Sequence, residues 1–98
     1  MKEECGKIEG DLWVTEDLEL KGMVTKAATV TARATLRLRG MVCGDLVLEE
    51  GSAVELHGMV VGDVINRGGQ LRIYGMVSGK VQRLGGTTHV EPGAKIGE

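Results

Sequence analysis

The feature that most constrains this chain is a repeated unit that begins with glycine. The tripeptide Gly-Met-Val starts at Gly22, Gly40, Gly58 and Gly75, so the intervals are 18, 18 and 17 residues. A longer pattern, Gly-x-(Val/Ile)-x-Gly-Asp, starts at Gly6, Gly40 and Gly58. Self-similarity at a short and nearly constant period is the signature of a solenoid, in which each repeat stacks on the previous one. We therefore predict one solenoid turn, or rung, per repeat.

Apolar and polar residues alternate within each repeat, as they do in strands that bury one face. Aligning the repeats predicts two aliphatic columns that run through every rung. Their members are Ile8, Val24, Val42, Val60, Val77 and Ile96 in the first column, and Leu20, Leu38, Leu56, Ile73 and Val90 in the second. The pattern predicts an all-β, single-domain parallel β-helix (β-solenoid) over residues 1–98, with five to six rungs of about 17 to 18 residues. The rungs are expected to start near Gly6, Gly22, Gly40, Gly58, Gly75 and Ala94.

A column of alternating charge supports this alignment. Its members are Glu19, Arg37, Glu55, Arg72 and His89. Opposite charges on neighbouring strands stabilise a sheet, whereas like charges directly opposite each other destabilise it. The alternation in sign is therefore expected if the rungs lie directly on one another.

Composition and charge exclude several classes of function. The chain has 12 basic and 14 acidic residues, with no Phe, one Trp and one Tyr. A nucleic-acid-binding protein normally has a basic excess and stacking aromatic residues, so we expect no nucleic-acid partner. We find no apolar run of transmembrane length and no signal peptide, and we expect a cytoplasmic protein. The cysteines Cys5 and Cys43 are not at metal-ligand spacing, and we expect free thiols.

The Gly-x-(Val/Ile)-x-Gly-(Asp/x)-(Leu/Val) unit and its period of about 17 residues resemble the bactofilin family, the polymer-forming cytoskeletal β-helices of bacteria. The resemblance extends from about Gly6 to Ile96. It implies a right-handed, roughly triangular helix that joins end to end into filaments without nucleotide. A Phe near the terminal rung is associated with filament contacts in that family, and this chain has no Phe.

One flank of the predicted solenoid is rich in apolar side chains that should face outward. Four stacked methionines, with Lys7 and Lys95 at the two ends of their column, lie beside the inward valine column. Methionine suits adaptable contact surfaces, and large exposed apolar patches commonly mark binding sites. We predict a protein-binding surface, the Met-rich flank, formed by Met23, Met41, Met59, Met76, Val61, Val47, Ile65 and Trp13. The alternative is that the corner geometry turns the methionines inward, where they fill the edge of the core.

The open strand edges at the two ends of the solenoid are a second candidate surface, because unpaired edges pair with other chains unless they are blocked. We expect no catalytic, cofactor or metal site. The chain has two histidines, His57 and His89. A catalytic histidine requires a partner group that positions it and a pocket, and the pattern indicates neither. The repeated Asp11, Asp45 and Asp63 are expected to stabilise turns by bonding nearby backbone amides, rather than to bind calcium.

Taken together, these patterns indicate a non-catalytic structural or protein-interaction module, a self-associating scaffold resembling bactofilins. Its partner is expected to be a protein, either a further copy of itself or one other protein, and not a small-molecule substrate. One alternative is a small partner-binding protein, such as an immunity-type antagonist that docks the Met-rich flank on a toxin or enzyme. A further alternative is an enzyme resembling the hexapeptide acyltransferases, which also have rungs of about 18 residues.

Overall fold

The computed structural model describes residues 2–97, which contain fifteen β-strands and no helix. The outermost residues of the predicted domain, Met1 and Glu98, lie outside the described residues. In chain order the strands are β1 (Lys2–Glu4), β2 (Lys7–Ile8), β3 (Leu12–Val14), β4 (Leu18–Leu20), β5 (Met23–Val24), β6 (Ala28–Val30), β7 (Thr35–Leu38), β8 (Met41–Val42), β9 (Leu46–Leu48), β10 (Ala53–Leu56), β11 (Met59–Val60), β12 (Val64–Ile73), β13 (Met76–Val77), β14 (Val81–Val90) and β15 (Lys95–Ile96).

The strands form a three-sided solenoid, and every strand pair is parallel. The first face contains β1, β4, β7, β10 and the second halves of β12 and β14. The second face contains β3, β6, β9 and the first halves of β12 and β14. The third face is a separate sheet of β2, β5, β8, β11, β13 and β15. Because β12 and β14 run across a corner, the first two faces belong to one sheet.

Both predicted aliphatic columns are confirmed by the strand register. On the third face Val24 pairs with Val42, Val42 with Val60, and Val60 with Val77. The second column continues on the first face through Leu20, Leu38, Leu56, Ile73 and Val90. The solenoid of about six turns is therefore confirmed, and its core is a stack of aliphatic layers without an aromatic side chain among the buried residues described.

Close stacking at one corner explains why the repeat begins with glycine. A Cβ atom at Gly40 would collide with the carbonyl oxygen of Gly22 in the preceding rung. The same collision would occur between Gly58 and Gly40, and between Gly75 and Gly58. Because the obstacle is backbone, no side-chain rotation relieves it. The spacing between rungs therefore requires glycine at this corner.

The repeated aspartates connect one rung to the next. The Asp45 Oδ1 atom accepts a hydrogen bond of 2.8 Å from the backbone N–H of Asp63, and Asp63 Oδ1 accepts one of 2.9 Å from Lys80. The Asp11 Oδ1 atom accepts a hydrogen bond of 3.1 Å from the backbone N–H of Ala27. The aspartates do accept hydrogen bonds from backbone amides, but the predicted role in stabilising their own turns is wrong, because each amide belongs to the following rung.

Candidate interaction surfaces

The methionine column of the Met-rich flank lies on the outer side of the third face. Met23, Met41, Met59 and Met76 occupy successive strands in register. Each precedes a buried valine, so strand alternation directs the methionine side chains away from the core. The first three are half-buried, and Met76 is 39% exposed. The methionines therefore form an outward ridge rather than an extension of the core.

The other apolar part of the Met-rich flank lies on the second face, around a corner from the methionines. Trp13, Val47 and Ile65 lie in one column of that face, separated from the third-face sheet by the corner. Val61 follows β11 at this corner. Trp13 is 63% exposed and Val61 41% exposed, whereas Val47 and Ile65 are half-buried. The Met-rich flank is thus a ridge with two sides and not one flat surface.

The outer side of the first face is held by ion pairs, as the charge alternation predicts. The Arg37 guanidinium lies between two carboxylates, with Nη1 3.9 Å from Glu19 Oε2 and Nε 3.3 Å from Glu55 Oε1. The Glu19 carboxylate also accepts a hydrogen bond of 2.7 Å from Arg39 Nε. Glu19 is buried beneath these arginines. The charged side chains on this part of the first face are therefore paired with one another and held in place.

His57 joins this network through Glu55. Its Nε2 atom lies 3.2 Å from Glu55 Oε1, and its ring stacks on Tyr74 with centroids 4.5 Å apart. The hydrogen bond to His57 is the main cause that lowers the pKa of Glu55, and the positive charge of Arg37 adds to it. His89 lies in the charged column next to Arg72. Among residues 2–97, no group of three or more His, Cys, Asp or Glu side chains is arranged to hold a metal ion.

The C-terminal end of the solenoid exposes side chains of the core type. Val90 continues the column of Leu20, Leu38, Leu56 and Ile73, which are 0% exposed, yet Val90 itself is 42% exposed. At its N-terminal end the same column begins with the exposed Glu4. Leu84, where the register of β12 and β14 is interrupted, is 65% exposed. Within the described part of the chain, the outer edge of the first-face part of β14 pairs with no strand. One more rung would cover Val90 and pair this edge.

A buried asparagine attaches this last rung to the solenoid. Asn66 is fully buried in β12, and its Nδ2 atom donates hydrogen bonds to the Thr87 carbonyl oxygen at 3.1 Å and to Thr88 Oγ1 at 3.2 Å. Its Oδ1 atom accepts hydrogen bonds from the backbone N–H groups of Gly68 at 3.1 Å and Gly69 at 2.8 Å. The side chain therefore fixes the corner of its own rung and the beginning of the outermost strand segment together.

The N-terminal end has a cavity of about 210 Å³ instead of a protruding surface. Apolar side chains of the first rung, Ile8, Leu12, Val14 and Leu18, line it. Polar and charged residues at its rim are Lys2, Glu3, Glu4, Thr15 and Glu16. The cavity lies beside β3, the outermost strand of the second face, which has one strand fewer than either of the other faces. The repeat predicts an open end here, but it does not predict a cavity.

Comparisons with models of protein families, with curated proteins and with solved structures find no match to this chain.

No helix among residues 2–97 is long and apolar enough to cross a membrane. Cys5 is exposed and Cys43 is half-buried, and neither is in a disulfide.

Proposed function

We propose that this protein is a non-catalytic structural module that self-associates through the ends of its solenoid, like the bactofilins that its repeat resembles. The observation that supports this proposal is the exposure of Val90 at the end of a column in which Leu20, Leu38, Leu56 and Ile73 are completely buried. The same residue type in the interior of the solenoid, such as Val42 and Val60, is fully shielded by the neighbouring rungs. A second copy stacked on this end would supply the shielding that Val90 lacks.

Two physical terms favour such an association. Burying a fully exposed aliphatic side chain of this size contributes about 1.5 to 3 kcal/mol, and Val90, which is 42% exposed, would contribute less than half of that. In addition, an unpaired strand edge presents a row of N–H and C=O groups that serve as a template for another strand. β14 is ten residues long, so its outer edge is a long template.

Sedimentation velocity over a wide range of protein concentration tests this proposal. We expect the wild type to form assemblies whose size grows with concentration, and Val90→Glu to reduce them to monomers. The matched control is the double variant Met41→Glu, Met59→Glu, which places the same charges on the Met-rich flank and should leave the assemblies unchanged. Circular dichroism establishes that both variants remain folded. A wild type that stays monomeric at every concentration contradicts the proposal.

The Met-rich flank supports a second candidate function, the binding of one other protein in the manner of an immunity-type antagonist. Trp13, Val61 and Met76 are among the exposed large apolar residues and lie on this ridge. This candidate predicts a monomeric wild type and a purified partner whose binding is lost in Met41→Glu, Met59→Glu and kept in Val90→Glu. The two functions therefore give opposite results for the same pair of variants.

For either function we propose a cytoplasmic location. A reducing compartment keeps thiols such as those of Cys5 and Cys43 unpaired.

A further inference from the structure

A thiol and a thioether contact each other on the outer side of the third face. The Cys43 thiol donates a hydrogen bond to Met41 Sδ, with 3.9 Å between the two sulfur atoms. The backbone N–H of Cys43 donates a hydrogen bond of 2.8 Å to the Val24 carbonyl oxygen, so the pairing of β8 with β5 continues through Cys43. Both sulfur-containing side chains are half-buried, and Cys43 is not in a disulfide. Two sulfur ligands therefore lie side by side at a fixed place in the fold.

Two further thioethers lie one strand spacing from Met41. Met23 and Met59 pair in register with Met41 on the neighbouring strands β5 and β11. Neighbouring strands are about 4.8 Å apart, and methionine has three rotatable side-chain bonds that let its sulfur atom move toward a neighbour. Both side chains are half-buried beside Met41. Either one can therefore bring a third sulfur atom to the pair formed by Met41 and Cys43.

The separation of the two sulfur atoms suits a shared metal ion. A bond between a thiolate sulfur and a first-row metal ion such as zinc is about 2.3 Å long, so two sulfur atoms that share an ion at trigonal angles are about 4.0 Å apart. The observed 3.9 Å matches this value. Zinc sites in proteins use thiolate, imidazole and carboxylate ligands, whereas a set of thiolate and thioether ligands selects Cu(I).

From this geometry we propose that Met41 and Cys43, with a third thioether from Met23 or Met59, form a binding site for Cu(I). The Cys43 thiol loses its proton when the ion binds, so one H⁺ leaves as one Cu(I) enters, and neither copper nor sulfur changes its oxidation state. All of these ligands belong to one copy of the chain, so the site does not depend on self-association. The expectation of no metal site differs because strand alternation does not predict the contact between the thiol and the thioether.

Competition for Cu(I) against a coloured chelator such as bicinchoninate, under anaerobic reducing conditions, tests the site. The parent protein carries Cys5→Ser, which removes the exposed thiol, and we expect it to bind one Cu(I) per chain. Loss of a residue that only orients a metal ligand costs about 10- to 100-fold in affinity, so Cys43→Ser should weaken binding by more than about 100-fold and Met41→Leu by about 10-fold or more. The matched control Met76→Leu removes a thioether two strands away from Met41 and should leave the affinity unchanged.

X-ray absorption at the copper edge adds a readout that needs no variant of the ligands. We expect two or three sulfur neighbours at about 2.3 Å and no nitrogen or oxygen neighbour. Circular dichroism establishes that the variants remain folded. Nitrogen or oxygen neighbours overturn the proposal, and so does equal affinity in the parent and Cys43→Ser. A loss in Met76→Leu as large as in Met41→Leu also overturns it, because copper is then not held beside Cys43. A parent protein that binds no Cu(I) refutes this inference and leaves the proposed self-association intact.

Discussion

Replacing Asn66 with leucine should loosen the last rung of the solenoid without leaving a cavity. The residue below Asn66 in the same column is Leu48, which shows that a leucine side chain fits this layer of the core. The substitution therefore removes the hydrogen bonds of Asn66 while keeping an inward side chain of similar size. Any loss of stability then reports the polar contacts rather than a packing defect.

The size of the effect follows from the groups that lose their partners. The backbone N–H groups of Gly68 and Gly69 both bond Asn66 Oδ1, and both glycines are wholly or partly buried. A buried donor without a partner costs about 1 to 3 kcal/mol. We therefore expect Asn66→Leu to lower the free energy of unfolding by about 2 to 5 kcal/mol. A typical domain has a free energy of unfolding of about 5 to 15 kcal/mol, so the expected loss is about one third of the total.

Urea denaturation gives the total effect, and native-state hydrogen exchange locates it. We expect faster exchange at the amides of β14 than at those of β7, because Asn66 bonds the rung that contains β14. The control Ile65→Leu changes the outward-facing neighbour and should alter stability by less than about 0.5 kcal/mol. A loss of less than about 0.5 kcal/mol in Asn66→Leu, with unchanged exchange in β14, would refute this reasoning.

Three further predictions concern the backbone and the ion pairs. Arg33 has a φ of 68°, and the corresponding residue one rung later, Gly51, has a φ of 85°. Because only glycine adopts this left-handed conformation without strain, Arg33→Gly should raise the free energy of unfolding by about 0.5 to 1 kcal/mol. Arg33→Ala should not raise it. Gly40→Ala should lower it by about 3 kcal/mol or more in the same urea assay, since the added Cβ meets backbone that cannot move away; near-wild-type stability would contradict the stacking at this corner. The pKa of Glu55 is lowered in the folded protein, mainly by the hydrogen bond to His57. The ionised carboxylate therefore stabilises the fold at pH values above 4.5, the ordinary pKa of this group, and this stabilisation is lost as the pH falls below 4.5. Stability measured from about pH 6 to about pH 3 should therefore fall less steeply in Glu55→Gln than in the wild type, by a small amount because solvent screens this exposed carboxylate; an equal slope would show that the pair contributes nothing.

The columns of the solenoid are predictable from the sequence because every rung repeats the same spacing. An error in alignment would place polar residues among the valines and leucines, and the alternation of Glu19, Arg37 and Glu55 gives an independent check of the register. The repeat itself shows that glycine recurs at this position. The physical reason, which is contact with the carbonyl oxygen of the preceding rung, is visible only in the structure.

Features that do not repeat are harder to predict. Asn66 is a buried polar residue that follows Val14, Val30 and Leu48 in one column. Its hydrogen bonds reach a turn and a neighbouring rung, which alternation along a strand does not specify. The Gly68–Gly69 pair that follows Asn66 is the sequence signal for a turn, and the side chain of Asn66 fixes this turn from within. The division of the Met-rich flank between two faces depends on the corner angle, and alternation along a strand carries no information about that angle.

The axial repeat of the assembled protein, measured by electron cryomicroscopy, tests most directly whether the columns continue from one copy to the next. The first face contributes six strands per copy. At about 4.8 Å per strand, association through the ends predicts one copy every ~29 Å along the axis. Copies packed side by side, without one copy per ~29 Å along the axis, would contradict association through the ends, and so would particles no larger than one copy.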